Sequence, residues 1–498
     1  MQWDVSIELA TLLTLLIGAC VGAFATLMAV VLSLSVFWFK IYGWKLAVAV
    51  VSSFLLVPIY VQATAWSAGF GTNGWLRLSQ VDASKNAWMG IASVVWIHAC
   101  AAIPFCFWIV SLGLRRANRS AVDQALVEVG PWHALTRMVL PRLRVPMAAS
   151  FLWAFASVQF DMVVTNLFQV PTLCESVYQQ VQFGKLRSAP IIAAWAFAIL
   201  CGLAIGFLGY WAGTLPVRRN SKESGSMTSP VLSWPYRWIL SSGCWTILMV
   251  CCVTPWMSLL TRMGFHTNLV EGARVRTWGF SECLSALWHV QDFASEFGWS
   301  VQLSLWAVSL SLLLTGILIW LVPRFVHPIL VFGLLGCMIT TPGPLINLMV
   351  GQLLNHWLPS PLGFLSDRTL LGPILAIQFR VLPVVWGLLW LLQQQYSERY
   401  GELLRLEHNL PWQARWYLWI RYSQWGWIIA LMIGFSVAFG DLASYLLVQP
   451  PGVTTIAMRM FDLLHYGTKN REAGLAVALA LFGAISSLVC LRFVPSKG

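Results

Sequence analysis

The residues that point most directly to a functional role are ionisable residues inside apolar stretches. Arg380, Asp441, Asp161 and His98 each lie well inside a long apolar stretch. A charged side chain at the centre of a bilayer costs about 2.5–3.5 kcal/mol and usually has a partner. Arg380 and Asp441 lie at similar depths in consecutive stretches, so we predict that they pair. Asp161 has His98 as its predicted partner.

The sequence is compatible with two roles for these pairs. They could only lock helices together, or they could gate a pathway or guide a cationic substrate. The sequence contains no G-x-x-x-x-G-K-[ST] phosphate loop, no H-E-x-x-H and no C-x-x-C, and its eight histidines are scattered. We therefore expect no catalytic site, no metal and no cofactor, and any ATP hydrolysis must come from a separate subunit.

The composition places these residues in a membrane protein. The chain has 498 residues, of which 58% are hydrophobic and only 10% charged, with a mean hydropathy of +0.72. A soluble domain carries far more charge. The net charge of +12 is attributed to basic cytoplasmic loops and contact with membrane lipid, so no nucleic-acid partner is expected. The N-terminus has Asp4 and Glu8 before its apolar run, and a cleaved signal peptide is not expected.

Apolar stretches long enough to span a bilayer predict an all-α polytopic protein with about eleven transmembrane helices. The predicted spans cover residues 7–38, 44–65, 88–114, 147–169, 189–214, 236–261, 298–323, 327–352, 369–395, 425–449 and 472–494. The polar segment 216–235 separates the spans into two groups and is predicted to be a cytoplasmic linker.

Two polar, basic segments, 117–147 and 397–424, follow corresponding spans and carry the same Pro-Trp pair. Pro131-Trp132 and Pro411-Trp412 are separated by an offset of 280, which also relates Asp161 to Asp441. At an offset of 279, Ile103-Pro104 corresponds to Leu382-Pro383, and Ala101 corresponds to Arg380. We interpret residues 1–215 and 236–498 as two homologous halves, of about five and six spans, an arrangement common in transporters.

Each basic segment is expected to form two short amphipathic helices at the membrane surface. In the first segment, Pro131 begins the second helix, because proline suits a first helical position. That helix is predicted to end near Leu140-Pro141. Such a surface can be recognised by a soluble partner through helix-in-groove contacts.

The two segments resemble the cytoplasmic EAA loop of binding-protein-dependent ABC importer permeases, where E-A-A, a glycine and a distal L-P contact the ATPase. In the first segment the triplet positions hold Val122, Asp123 and Gln124, Glu128 takes the glycine position and Gly130 follows two residues later. In the second segment Glu402 matches, His408 replaces the glycine and Ile420-Arg421 replaces Leu-Pro. The residues that the resemblance assigns to ATPase coupling are Gln124, Glu128, Gly130, Pro131, Trp132, Leu140, Pro141, Glu402, His408, Pro411 and Trp412.

The resemblance covers nearly the whole chain, and the run from Gly440 to Gly467 is most similar to the fused, two-half permeases of the ferric-iron group. It implies a type I permease fold, a separate ATPase present as a homodimer, and a substrate-binding protein that delivers ferric iron. Permeases for sulfate, thiamine or phosphonate have a similar pattern. A secondary transporter without an ATPase and a membrane-embedded enzyme are the alternatives from other classes.

The distribution of basic residues predicts the orientation in a bacterial inner membrane. With both EAA-like segments in the cytoplasm, nineteen of the 31 lysines and arginines lie inside. The positive-inside rule then places the N-terminus outside and the C-terminus in the cytoplasm.

Overall fold

The structure, a computed structural model, describes residues 6–71, 87–115, 119–184, 187–214, 234–270, 273–325, 327–357, 368–406, 412–465 and 470–493. Almost all of the regular structure in these ranges is helical. The helices are α1 Ile7–Ser33, α2 Trp44–Ser53, α3 Ile59–Phe70, α4 Ala87–Arg115, α5 Arg119–Ala134, α6 Arg144–Phe160, α7 Val163–Leu167, α8 Leu173–Gln182, α9 Ser188–Thr214, α10 Trp234–Leu248, α11 Thr254–Met263, α12 Phe280–Trp288, α13 Ala294–Phe325, α14 Pro328–Thr340, α15 Gly343–Gln352, α16 Leu371–Leu406, α17 Trp412–Gly440, α18 Ile456–His465 and α19 Asn470–Phe493.

The described residues form a helical, multi-pass membrane protein, as the composition predicts. Seven helices are long and apolar enough to cross a membrane, and α14 with α15 forms an eighth candidate that is bent by 104°. The prediction of about eleven spans counts three further stretches. Those stretches are helical in part, but each is interrupted.

The interruptions have local causes. The predicted span 44–65 is divided before Pro58, where the chain is extended before α3 begins. In 147–169, α6 ends at Phe160 and Asp161 adopts an extended conformation. In 425–449, α17 ends at Gly440, immediately before Asp441. Hydropathy alone cannot show these breaks, because the residues on both sides are apolar.

Two sets of three helices pack against one another in the same way. In the first set α1, α4 and α6 are in mutual contact, and in the second set α13, α16 and α17 are. Pro104 lies inside α4 and Pro383 inside α16, so the central helix of each set carries a proline at the corresponding place. Each set has its own large cluster of buried apolar side chains.

The last long helix of each part of the chain crosses to the other part. Helix α9 packs along α14, and α19 packs against α2 and α3. Glycines permit the first contact: a Cβ on Gly202 would meet the backbone of Cys337, and one on Gly336 would meet the carbonyl of Gly202. A Cβ on Gly483 of α19 would come 2.7 Å from the carbonyl oxygen of Leu56. The two parts are therefore interlocked rather than side by side.

Two local features differ from the sequence expectations. A two-stranded antiparallel hairpin, β1 Phe265–Val270 with β2 Ala273–Trp278, lies between α11 and α12. The second short helix of the first basic segment ends at Val139, next to the predicted Leu140-Pro141, but a new helical stretch that was not predicted begins at once at Leu140. The chain stays helical through this point into α6, because Pro141 lies in the first turn of a new helical stretch and needs no N–H there.

Candidate functional site

A cavity of about 530 Å³ lies between the two sets of helices. Its wall includes residues of α3, α4, α6, α16 and α17. All four ionisable residues singled out in the sequence, His98, Asp161, Arg380 and Asp441, line it. The structure thus brings together in one cavity side chains that are up to several hundred positions apart in the chain.

Two faces of the cavity wall come from α4 and α16 and correspond residue by residue. Ala101, Phe105 and Ile109 of α4 line the cavity, and so do Arg380, Val384 and Leu388 of α16. Within each group of three, successive residues lie one helical turn apart on the same face of the helix. Each member of the first set is related to one of the second by the offset of 279.

Helices α6 and α17 supply the other two faces in the same manner. Trp153, Ser157 and Asp161 line the cavity from one side, and Ile433, Val437 and Asp441 from the other. The offset between the two sets is 280 throughout. Corresponding positions of the two parts of the chain therefore face each other across a shared space.

The polar residues lie at one end of this cavity. From His98 and Arg380, the lining of α4 and α16 continues to Leu112 and Leu388. Leu112 is close to the end of α4 that leads into the first basic segment, which contains α5. The cavity therefore extends from a polar layer deep in the helices towards the side that carries α5.

His98 and Asp161 are adjacent at this polar end. Asp161 caps α7: its two carboxylate oxygens accept the N–H groups of Val163 at 3.0 Å and Val164 at 2.9 Å. His98 Nδ1 is 2.9 Å from the carbonyl oxygen of Val94, so this nitrogen carries a proton. Nε2 lies 3.5 Å from Asp161 Oδ2, an ion-pair distance, and it has no hydrogen-bond partner among the described residues.

Arg380 binds the backbone at the bend between α14 and α15. Its guanidinium donates to the carbonyl oxygens of Ile339 and, at 2.8 Å, of Thr341. These carbonyls lie at the C-terminal end of α14, where a positive charge is favourable. Arg380 and Asp441 also attract each other electrostatically. The structure thus adds a helix-capping role for Arg380 that the sequence did not indicate.

Three buried polar atoms on the cavity wall have no hydrogen-bond partner among the described residues. They are Nε2 of His98, Oδ2 of Asp441 and the hydroxyl of Tyr60. Leaving a buried polar group unpaired costs about 1–3 kcal/mol. A ligand that supplies hydrogen-bond donors would recover this energy, so the polar end of the cavity has the properties of a binding site.

On the side of the polar layer away from α5, a chain of hydrogen bonds links the two parts of the molecule. His465 at the end of α18 bonds to Asn166 of α7 at 2.8 Å, and Asn166 donates to Glu175 of α8 at 2.8 Å. Gln179 also donates to Glu175, at 2.9 Å. Burial raises the pKa of the Glu175 carboxyl, and the bonds from Asn166 and Gln179 oppose this rise.

The first basic segment presents a partly apolar surface. Its helix α5 is broken at Gly130, which has φ 78° and ψ 170°, and Pro131 begins the next helical turn, as predicted. Val122 and Ala125 are buried against the rest of the protein, whereas Val127 is 88% exposed and Trp132 54% exposed.

The polar residues of this segment lie on the same outer surface. The side-chain amide of Gln124 donates to Glu128 at 2.7 Å, in an exposed position. Leu140 and Pro141 are half-buried at the start of the helical stretch that leads into α6. Gln124, Glu128 and Trp132 are therefore accessible from solvent, and Leu140 and Pro141 only partly.

The second basic segment falls largely outside the described residues. His408 and Pro411 lie between α16 and α17, where the structure describes nothing, and for Glu402 and Trp412 it describes the helical backbone only. Residues 216–233 of the predicted linker are also outside the described part. The predictions for these positions stay predictions.

Several cavity residues were not identified from the sequence, among them Tyr60, Trp108 and Trp153. Extending the offsets of 279 and 280 along single helix faces would have found Trp153, whose counterpart Ile433 also lines the cavity. Tyr60 could not be found in this way, since its position depends on the break before α3.

Comparisons with known proteins do not assign the chain to a family. No protein-family model, no curated protein and no solved structure matches the chain.

Proposed function

We propose that this chain is the permease subunit of an ATP-driven importer of the ABC class, with ATP hydrolysis in a separate subunit and substrate delivery by a binding protein. The observation that carries the proposal is the cavity whose facing walls come from corresponding positions of two parts of one chain. A pathway at the interface of two related halves, with ionisable residues at mid-depth, is the arrangement expected of a transporter.

The surface of α5 supports the use of a separate ATPase. Exposed Val127 and Trp132 lie on the segment that resembles the EAA loop, next to exposed Gln124 and Glu128. A break at Gly130 sets the two helical pieces at an angle, and Val122 and Ala125 attach the first piece to the bundle. A partner that moves this segment would also move α4 and α6, which flank it and line the cavity.

The proposal also specifies the number of spans, their division into halves and their orientation. It comprises about eleven spans in two homologous halves, residues 1–215 and 236–498, joined by the linker 216–235. The N-terminus lies outside and the C-terminus in the cytoplasm of a bacterial inner membrane. The mutual packing of α1, α4 and α6, and of α13, α16 and α17, is consistent with such a duplication. So is the reciprocal crossing of α9 and α19.

The cargo implied by the resemblance is ferric iron, with sulfate, thiamine and phosphonate as alternatives. Uptake assays in a strain that lacks this chain, with each of these solutes in turn, would identify the cargo. The solute whose uptake is lost on deletion and restored by the intact gene is the substrate.

The class of transporter is tested by co-purification from the native membrane. We expect a nucleotide-hydrolysing subunit to accompany the chain, and Val127→Asp to reduce that association, because it places a charge in an apolar contact. Phe183→Asp provides a control at an exposed apolar position outside the predicted spans and away from α5, where Phe183 is 71% exposed. If the purified chain alone transports solute on an ion gradient, it is a secondary transporter and the proposal is wrong.

A further inference from the structure

The polar end of the cavity has an imbalance of charge that indicates what it binds. Among the described residues that line this end, two carboxylates, Asp161 and Asp441, accompany a single guanidinium, that of Arg380. The position that corresponds to Arg380 in the other wall is Ala101, which also lines the cavity. One of the two carboxylates therefore has no matching arginine.

The hydrogen-bonding groups described at this end of the cavity also leave polar atoms without a partner. Arg380 already donates to the carbonyls of Ile339 and Thr341. His98 donates through Nδ1 to the carbonyl oxygen of Val94, and its Nε2 lies 3.5 Å from Asp161 Oδ2 without a hydrogen bond. Among the described residues, Asp441 Oδ2 is a further buried polar atom without a hydrogen-bond partner.

The remaining wall is mostly aliphatic and aromatic, with Gln62, Ser157 and Ser436 as polar exceptions. Phe105, Trp108 and Trp153 line the cavity next to leucine, isoleucine and valine side chains. Aromatic faces attract cations when water is excluded, and the volume of about 530 Å³ is in the range of small-molecule sites. A hard metal cation, by contrast, requires a shell of several oxygen ligands, and the described residues contain no group of three or more His, Cys, Asp or Glu side chains placed to hold a metal ion.

From these features we infer that the cavity binds an organic cation that has N–H donors and an apolar or aromatic body. The N–H groups bind between His98 Nε2, Asp161 and Asp441, and the body lies against Phe105, Trp108 and Trp153. This inference departs from the ferric iron implied by the resemblance. It rests on the proposed function only for the assumption that the bound molecule is the transported one.

The test uses benzamidinium and benzamide, which have the same shape but differ in charge. Binding of each to the purified full-length chain in lipid nanodiscs is measured by calorimetry, without ATP or an ATPase. We expect benzamidinium to bind at least about tenfold more tightly than benzamide, since only the cation gains the attraction of the buried carboxylates.

Three variants locate the site. Asp441→Asn should weaken benzamidinium binding by about tenfold or more, because it removes one of the two carboxylates. Ala101→Arg places a second guanidinium opposite Arg380 and should have a similar effect. Asp292→Asn, at an exposed position that does not line the cavity, is the control and should change nothing. Elution volume and thermal unfolding show which variants are folded. If Asp441→Asn does not fold, binding of benzamidinium to Ala101→Arg still tests the site.

The inference is overturned if benzamide and benzamidinium bind equally, or if both folded variants bind benzamidinium as the parent does. Binding of sulfate or ferric citrate in place of benzamidinium would overturn it as well. None of these results depends on ATP, so the importer proposal could still hold. Conversely, loss of ATPase association in Val127→Asp leaves the binding result unaffected.

Discussion

At the scale of single residues, the ionisable groups of the cavity are more constrained than their isolated positions in the sequence suggest. Arg380 is 6% exposed. It holds two backbone carbonyls at the bend of α14 and α15 in addition to facing Asp441. Asp161 both caps α7 and faces His98. The sequence could predict the charges and their depth, but not the caps, since those depend on where the helices break.

Removing Arg380 should therefore be severely destabilising. We expect Arg380→Ala to cost about 3–5 kcal/mol, because it leaves the Asp441 carboxylate buried without its counter-charge. The double variant Arg380→Ala with Asp441→Ala should recover part of this loss. Full recovery is not expected, since the carbonyls of Ile339 and Thr341 still lose their donor. Thermal unfolding of the single and double variants in detergent measures the coupling, and strictly additive effects would mean that the two residues do not interact.

At the scale of helices, the close approach of α9 and α14 depends on residues without a side chain. The space beside Gly336 is filled by the carbonyl of Gly202, whereas a Cβ on Gly387 of α16 would meet nothing within 4 Å. The sequence shows these glycines within apolar stretches but not which of them lie at a contact. The three-dimensional crossing decides this, and it brings together helices that are far apart in the chain.

Gly336→Ala should accordingly destabilise the protein by about 1–3 kcal/mol, the usual range for overpacking. Gly387→Ala, the matched control, should be neutral or slightly stabilising, because alanine is the better helix former. Thermal unfolding compares the two. Equal stability of both variants would show that α9 and α14 are not in close contact.

The basic segments allow a second prediction at this scale. The first segment keeps more of the EAA-like pattern than the second, in which His408 and Arg421 stand at the glycine and proline positions. If both contact an ATPase, Trp132→Ala should reduce ATP-driven uptake more than Trp412→Ala does. The measurement is uptake at equal amounts of protein in the membrane. A larger loss from Trp412→Ala would contradict the predicted asymmetry.

At the scale of the whole molecule, the sequence predicts the helical membrane class, and several pairs of positions related by the offsets of 279 and 280 line the same cavity. What it could not predict is the interlocking of the two parts by α9 and α19. The breaks before α3 and after α6 and α17 were missed because proline, aspartate and glycine interrupt these stretches without lowering their hydropathy enough.

The central claim is that solute passes through the cavity between the two parts and that ATP hydrolysis drives it. The most direct measurement is uptake into proteoliposomes that contain the chain and its co-purified ATPase, before and after a bulky thiol reagent modifies Ser157→Cys in the cavity wall. The parent chain, with its own cysteines, and Ser242→Cys on an exposed face of α10 serve as controls.

The account predicts that uptake requires ATP and that labelling abolishes it only in Ser157→Cys, since the attached group fills the cavity. Uptake that persists after complete labelling of Ser157→Cys, or that proceeds on an ion gradient without ATP, would contradict it.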